Sequence, residues 1–319
     1  MLSADDVRRK RFDVDAQDLV WVDISEPEPN DIAWLERTFG FHPLALEDVV
    51  RRHQRAKLEE YPGYYFGVLY AARADMAARR IAIAELQFFW GAKYLVTIHH
   101  EGFPEIDDLA ARARSGALSP VVGEGSRPLA MADLVYRLID GVVDGYFPAV
   151  DALAEWSENI EETMFAPTRP PAQATLRAIF GLKKDLLELR KTLAPSREVV
   201  NVLLRRDHAV FGDELLPYFQ DVYDHTVRVI DSLDTYRDLL ASALETHLSI
   251  VSNEVSQTVR TMTAVTAILM VDALIAGIYG MNFDRIPELH WEYGYVWALG
   301  LMLAISFALW LLFRRIRWW

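Results

Sequence analysis

The side chains in this 319-residue sequence that could hold a metal ion are carboxylates, amides and histidines, because the sequence contains no cysteine. The lack of cysteine excludes disulfides, thiolate zinc sites and thiol nucleophiles. Oxygen donors are the ligands that hard cations such as Mg²⁺ prefer. With 46 acidic and 33 basic residues, the formal net charge is −13, so the chain would attract cations and is a poor partner for nucleic acid.

Two apolar runs near the end of the sequence have the length of membrane-spanning helices. Residues 262–279 would extend about 27 Å as a helix, close to the thickness of the hydrocarbon core, and Asp272 is their only charged residue. Residues 295–313 carry no charge, and a short polar segment separates the two runs. A buried core helix is the alternative for either run alone. Two such runs in succession favour a membrane hairpin.

Basic residues predict the orientation of this hairpin. Arg314, Arg315 and Arg317 directly follow the second run, together with Trp318 and Trp319 as interfacial anchors. The segment between the runs is mainly acidic. The bias of basic residues toward the cytoplasm therefore predicts that both termini are cytoplasmic. The expected location is the inner cell membrane, as a multi-pass protein. No signal peptide is expected, since no apolar stretch follows the charges at the N-terminus.

A long helix is expected to lead into the first run. No glycine or proline occurs between Pro217 and Gly277, an interval of about 90 Å in helical form. Apolar residues recur there at near-heptad spacing, which requires partner helices, and most of the acids on the other face are expected to be solvated. Two spans per chain cannot enclose an aqueous path, so a channel built from this chain would need several copies around an axis.

The part of the sequence before this helix predicts a mixed α/β domain and then a helical hairpin. Strands are predicted at residues 18–23, 64–72, 81–90 and 94–99, and a hairpin turn at 91–93 is predicted to join the last two. Helices are predicted at residues 31–39 and 44–52. Residues 131–164, with a kink at Pro148, and residues 172–206 are predicted to form the helical hairpin. The predicted domains are an α/β domain (1–128), a helical hairpin (129–216), a stalk helix (217–260), a first transmembrane helix (261–281), an external loop (282–294), a second transmembrane helix (295–313) and a basic tail (314–319).

The tripeptide Gly280-Met281-Asn282 ends the first apolar run and strongly resembles the hallmark of the CorA family of magnesium transporters. The sequence also resembles the family at Tyr279 and Phe283, which flank the tripeptide, and in the loop at 286–291. Further similar segments lie at 46–48, 187–191 and 217–225. The resemblance covers nearly the whole chain. It implies a homopentameric funnel: an α+β cytosolic domain with a mixed sheet, a long stalk helix and two C-terminal transmembrane helices.

The resemblance also implies the residues of an ion pathway. A ring of Asn282 amides, with Gly280 and Met281, would form the selectivity filter. Its neutral oxygens could accept hydrogen bonds from the water shell that Mg²⁺ gives up reluctantly. Asp284 and Glu288 in the external loop would gather cations at the entrance, or simply aid solubility. The residues expected to line the pore, all on one helical face, are Val259, Met262, Thr266, Met270 and Ala273.

Regulation by divalent cations is a further implication of the resemblance. Asp48 and Glu245 would bind a cation between neighbouring subunits and hold the closed state, and Asp221 would join a second site. Mg²⁺ would then be both transported and regulatory, because loss of the bound ion would loosen the ring. Asp272 departs from the family pattern and lies off the predicted pore face. Its carboxyl is expected to be functional, protonated or paired with a neighbouring polar group.

The function predicted from the sequence is potential-driven influx of Mg²⁺, and of Co²⁺ and Ni²⁺ as similar hydrated ions. A zinc transporter of the same superfamily and a non-conducting membrane-tethered sensor or scaffold are the alternatives. An enzyme is not expected, because no nucleophile–base constellation stands out. The expected partners are copies of the chain, the lipid bilayer and divalent cations. A transition-metal site at His42 or at His99-His100-Glu101 has a weak basis, and these histidines are expected to be ordinary surface residues.

Overall fold

The computed structural model of the chain describes residues 9–14, 19–122, 130–166, 170–205, 213–281 and 291–318. The chain divides into two compact units, Met1–Ser242 and Ala243–Trp319. The first unit contains a mixed sheet and most of the helices. The second contains the end of the long helix and the C-terminal helix.

The sheet of the first unit has six strands among the described residues, in the order β1-β2-β6-β5-β4-β3. The β2 and β6 strands are parallel, and the other neighbours pair antiparallel. The strands are β1 Arg9–Val14, β2 Leu19–Ser25, β3 Lys57–Tyr61, β4 Tyr64–Asp75, β5 Arg80–Gly91 and β6 Tyr94–His99. The predicted mixed sheet is therefore confirmed, and the hairpin at 91–93 joins β5 to β6 with Trp90 opposite Leu95.

Two strands escaped prediction because they lie at the edges of the sheet. The β1 strand has the sequence RKRFDV and β3 has KLEEY, both rich in charge. An edge strand needs only one hydrogen-bonded neighbour, and its charges discourage pairing with another chain. The alternation of apolar and polar residues that identifies a half-buried strand is consequently weak in both.

Seven helices of the described chain precede the long one. They are α1 Pro29–Phe39, α2 Pro43–Val50, α3 Pro104–Arg114, α4 Met131–Asp144, α5 Tyr146–Phe165, α6 Ala172–Leu193 and α7 Ser196–Leu204. The first three begin with proline, whose missing N–H costs nothing at a helix start. The imidazole of His42 caps α2, where its Nδ1 accepts a hydrogen bond from the Leu44 amide at 3.2 Å.

The prediction of one helix kinked at Pro148 was wrong. The chain instead ends α4 at Asp144 and starts α5 at Tyr146, with Gly145 between them. Pro148 lies in the first turn of α5, where its backbone nitrogen has no intrahelical partner to lose. The second predicted helix is likewise divided, into α6 and α7, by Ala194-Pro195.

The long helix α8, Leu216–Tyr279, confirms the prediction made from the absence of glycine and proline. In the first unit it buries apolar side chains such as Phe219, Val222 and Leu233. The C-terminal helix α9 spans Gly294–Arg315. Both helices are long and apolar enough to cross a membrane, and only 11% and 6% of their apolar windows are buried. A core helix of a soluble protein would bury far more of such a window.

A buried polar network joins the parallel strands β2 and β6. The Trp21 Nε1 donates to Thr97 Oγ1 at 3.0 Å, and that hydroxyl donates to Asp23 Oδ1 at 2.7 Å. The His99 Nε2 lies 3.2 Å from the same carboxylate oxygen. His99 is thus buried, contrary to the expectation of a surface histidine. Burial lowers the pKa of His99, but the hydrogen bond and the charge of Asp23 outweigh it and raise the pKa above its usual range.

The raised pKa of His99 predicts a pH-dependent stability. A histidine with a higher pKa in the folded state contributes stability that is fully present below its unfolded pKa of about 6.5 and is lost as pH rises through the folded pKa. Between about pH 6 and pH 8, the wild type should therefore lose more thermal stability than Asp23→Asn, as followed by tryptophan fluorescence. His99→Gln should give the same flattened profile. Identical pH profiles for all three proteins would contradict the assignment.

Candidate ion pathway

The residues predicted to line a pore lie on α8 in the second unit and are exposed in the single chain. Val259 is 55% exposed, and Met262 and Met270 are each 65% exposed. Thr266 is exposed too, but its hydroxyl already donates to the Met262 carbonyl at 2.8 Å, within the helix. The stripe formed by these residues and Ala273 is therefore mainly apolar.

The side of α8 opposite this stripe faces α9. At roughly 100° per residue, Ala264 and Ile275 point about 180° away from the centre of the stripe, and both are buried. The Thr261 hydroxyl donates to the Trp318 carbonyl at 3.2 Å beyond the end of α9. One face of α8 is thus covered within the chain, and the predicted pore stripe stays uncovered.

Asp272 has a partner on α9. The Ser306 Oγ lies 2.9 Å from both carboxylate oxygens of Asp272, and both side chains are half-buried. Of the alternatives left open by the sequence, the structure supports pairing with a polar group. A single hydroxyl can donate only one proton, so it shares one hydrogen bond between the two oxygens.

The tripeptide of the predicted filter is only partly described. The α8 helix ends at Tyr279, and the amides of Gly280 and Met281 still donate to the helix carbonyls of Ala276 and Ile278 at 2.9 and 3.3 Å. A Cβ atom at Gly280 would come within 3.1 Å of the Ala276 oxygen, so a side chain would crowd this helix end. Asn282, Asp284 and Glu288 lie outside the described residues.

Aromatic residues gather at both ends of α9. At the start of the helix, the ring of Trp297 in its first turns lies 6.2 Å from that of Trp291, which precedes it. At the end of the helix, Phe313 stacks on Trp318 at 5.4 Å, and the Arg314 guanidinium lies 5.3 Å from the Trp310 ring. Tryptophan at both ends of an apolar helix and arginine at its C-terminal end are typical of the boundaries between hydrocarbon and water.

The predicted regulatory acid Asp48 is already paired with a cation in the single chain. The Lys57 Nζ lies 2.7 Å from Asp48 Oδ2 and 2.7 Å from Glu59 Oε1. Partial burial lowers the pKa of Lys57, but the hydrogen bonds to Asp48 and Glu59 outweigh it and raise the pKa above its usual range. A divalent ion at Asp48 would therefore compete with the Lys57 ammonium.

The other two predicted metal ligands lie on α8. Glu245 is exposed in the second unit. Asp221 lies in the first unit, where His225 Nε2 is 3.7 Å from its carboxylate and His225 Nδ1 is 3.4 Å from that of Asp144. Burial and the Asp144 charge raise the pKa of the neighbouring Asp140. Asp140 and Asp144 were not among the residues predicted from the sequence, although their spacing of four residues places both on one face of α4.

Within the described ranges, one chain holds no group of three or more acidic or histidine side chains arranged to bind a metal ion. Asp48 and Asp221 belong to the first unit and Glu245 to the second. A regulatory site that combines acids from different subunits would be divided in a single chain.

Known proteins resemble this chain over nearly its full length. The family model described as CorA-like Mg2+ transporter protein matches residues 16–315. The putative metal ion transporter YfjQ of Bacillus subtilis is 34% identical over 93% of this chain and 89% of its own. The cobalt/magnesium transport protein CorA of Thermotoga maritima is 33% identical over 95% and 84%. The structure of the CorA magnesium transporter from Methanocaldococcus jannaschii superposes with a TM-score of 0.81, covering 99% of both chains at 23% identity.

The match to a complete transporter structure accounts for the mixed-sheet domain, the unbroken α8 and the apolar α9 as parts of one known fold. The relatives are described as transporters, not as enzymes, as expected. Together with the family model, this similarity shows that the chain belongs to the family of CorA-like Mg2+ transporter proteins, membrane proteins with two C-terminal spans that carry divalent cations.

Proposed function

We propose that this chain is one subunit of a homopentameric Mg²⁺ channel of the inner membrane, with both termini in the cytoplasm. The observation that carries the proposal is the uncovered apolar stripe of α8, directly opposite the face that is covered within the chain. In a membrane this stripe must face lipid or further protein, and copies of the helix around an axis would cover it. The predicted domain boundaries, with residues 217–260 as stalk and 261–281 and 295–313 as spans, belong to the same proposal.

Conduction would use the membrane potential alone. A doubly charged ion gains about 4.6 kcal/mol per 100 mV on moving inward, twice the value for a single charge. Rings of Val259, Met262, Met270 and Ala273 side chains would form an apolar constriction, which closes by dewetting and opens when the helices separate. Thr266, whose hydroxyl is bonded within the helix, would not interrupt this constriction.

Selection would take place at a ring of Asn282 amides around hydrated Mg²⁺. The end of α8 at Tyr279, three residues before Asn282, supports a location at the mouth of the pore. Amide oxygens would hold the water shell without the strong binding of carboxylates. Gly280 and Met281 would complete the filter, and Asp284 and Glu288 would raise the cation concentration beside it.

Asn282→Ala should lower the initial rate of Mg²⁺ uptake into liposomes by about tenfold or more, equivalent to at least about 1.4 kcal/mol of lost stabilisation of the ion. Asn253→Ala is the matched control, because Asn253 is exposed on α8 away from the predicted stripe. The oligomeric state of both variants is checked by size-exclusion chromatography with light scattering. Equal uptake by all three proteins would refute the proposed role of Asn282 in a filter. No uptake by the wild type would favour a sensor or scaffold.

A zinc transporter remains the alternative within the superfamily. The intact Gly280-Met281-Asn282 tripeptide favours Mg²⁺, and Co²⁺ and Ni²⁺ would pass as similar hydrated ions. Competition of Zn²⁺ against Mg²⁺ in the same flux assay separates the two possibilities.

Gating would depend on divalent ions held between subunits by Asp48 and Glu245, with Asp221 at a second site. Bound ions would offset the repulsion between carboxylates of neighbouring copies and favour the closed ring. The Lys57 ammonium at Asp48 would weaken this binding, because it neutralises the same carboxylate. Mg²⁺ would therefore inhibit its own entry, as cargo and as regulator.

The combined variant Asp48→Asn/Glu245→Gln should keep conducting at internal Mg²⁺ concentrations that close the wild type. Lys57→Ala should have the opposite effect and lower the Mg²⁺ concentration for half-inhibition, because it frees the Asp48 carboxylate for the ion. Both effects are measured as Mg²⁺ current against internal Mg²⁺. Unchanged inhibition in the double variant would refute the proposed site.

The contact between Asp272 and Ser306 would fasten the pore helix to the second span. A double-mutant cycle with Asp272→Leu and Ser306→Ala should give a coupling energy of about 0.6 kcal/mol in thermal unfolding, typical of polar contacts between membrane helices. Asp272→Leu combined with Ser252→Ala, a change at an exposed position on α8, should show no coupling. Additive effects of the first pair would mean that the contact does not contribute to stability.

A further inference from the structure

The first unit contains a cavity of about 490 Å³ between the turn joining β4 to β5 and the helices α5 and α6. This size is typical of small-molecule sites. None of the residues discussed for conduction or gating lines it.

Four basic side chains line the cavity. Arg79 and Arg80 come from the β4–β5 turn, and Arg177 and Lys184 come from α6, where their spacing of seven residues places them on one face. In the part of the chain that the structure describes, none of the four forms an ion pair with a carboxylate, whereas Arg190 pairs with Asp234 at 2.6 Å farther along the same helix. Burial raises the pKa of Asp185 in the same lining, and the nearby charges of Arg80 and Lys184 oppose that rise. Four cations against the two carboxylates Asp185 and Glu188 leave the lining with an excess of positive charge, which favours an anionic ligand in a chain of net charge −13.

The β4–β5 turn holds Arg79 at the cavity with a strained backbone. The φ angle of Arg79 is 48°, in the left-handed region that glycine and asparagine normally occupy. The Asp75 carboxylate fixes the turn by accepting hydrogen bonds from the amides of Ala77 and Ala78 at 3.0 and 2.9 Å. A residue in this conformation costs about 1 kcal/mol or more, so an arginine here is consistent with a role for its side chain.

The rest of the lining is suited to more than a simple anion. An apolar wall is formed by Ile81, Trp156, Ile160 and Leu182, of which Trp156 and Leu182 are buried. Asp185 and Glu188 on α6 add carboxylates that can accept hydrogen bonds from hydroxyl groups. The ligand must therefore offer negative charge, hydroxyl donors and an apolar surface together.

We propose that this cavity binds a nucleoside phosphate. Arg79, Arg80, Arg177 and Lys184 would hold the phosphates, Asp185 and Glu188 would accept from the ribose hydroxyls, and the base would lie against the wall beside Trp156. The site belongs to the first unit alone and does not depend on the proposed channel function. An acidic peptide would satisfy the cations but would leave the apolar wall uncovered.

The test is binding of ATP, AMP, adenosine and pyrophosphate to the intact protein in detergent, by isothermal titration calorimetry. EDTA is present throughout, because ATP chelates Mg²⁺ and a change in free Mg²⁺ would itself act on the gating acids. We expect ATP to bind and Arg177→Ala/Lys184→Ala to weaken it at least about tenfold, as the loss of two charge-assisted contacts implies. Lys183→Ala is the matched control, since Lys183 precedes Lys184 on α6 and does not line the cavity.

A second variant tests the shape of the site without changing its charge. Ala178→Trp places an indole in the cavity lining and should abolish ATP binding while leaving thermal stability close to that of the wild type, because Ala178 is exposed. Absence of ATP binding, or ATP binding that survives both variants, overturns the proposal. Equal affinities for pyrophosphate and ATP also overturn it, because the apolar wall would then have no role. Binding only to phosphatidylglycerol vesicles would assign the cations to a lipid surface instead.

Discussion

The high cost of placing a divalent ion or an unsatisfied backbone group in hydrocarbon is the constraint on which the rest of this structure depends. Two spans in one chain cannot meet this constraint alone, so in the proposed oligomer the first span would contact both its own second span and other copies of the chain. The α8 helix has two different faces: the face with Ala264, Ile275 and Asp272 is covered or bonded within the chain, and the face with Val259, Met262 and Met270 is exposed. An apolar surface of this kind lowers its free energy only against lipid or further protein.

The chain has regions of opposite charge. The acids on α2, α4 and α8 place negative charge on these helices, and the Lys57 ammonium offsets it where the carboxylates of Asp48 and Glu59 come close together. In the proposed oligomer, divalent cations would replace such local partners between copies of the chain. The cavity beside α6 has the opposite sign, with Arg177 and Lys184 on one helical face, so the two regions would attract different ligands.

Two kinds of interaction stabilise the sheet of the first unit. Hydrophobic burial stabilises most of the sheet, where Trp90, Phe66 and Phe89 are fully buried. The parallel strands β2 and β6 are far apart in sequence. They are joined in addition by hydrogen bonds that run from Trp21 through Thr97 to Asp23. A buried network of this kind stabilises a sheet only when each member has its partner, so the register of β2 against β6 is strictly specified.

The sequence by itself determined what depends on neighbouring residues: the continuity of α8 from the lack of glycine and proline, the length of α9 from an uncharged run, and the 91–93 hairpin. It also carried the Gly280-Met281-Asn282 tripeptide, and with it the family. The tertiary structure alone decided the edge strands β1 and β3, the burial of His99 against Asp23, the pairing of Asp272 with Ser306, and the meeting of Arg79 with Arg177 at one cavity. Periodicity records which face of an element is apolar, but it does not record which distant element that face meets, because this contact is set by the packing of the whole chain.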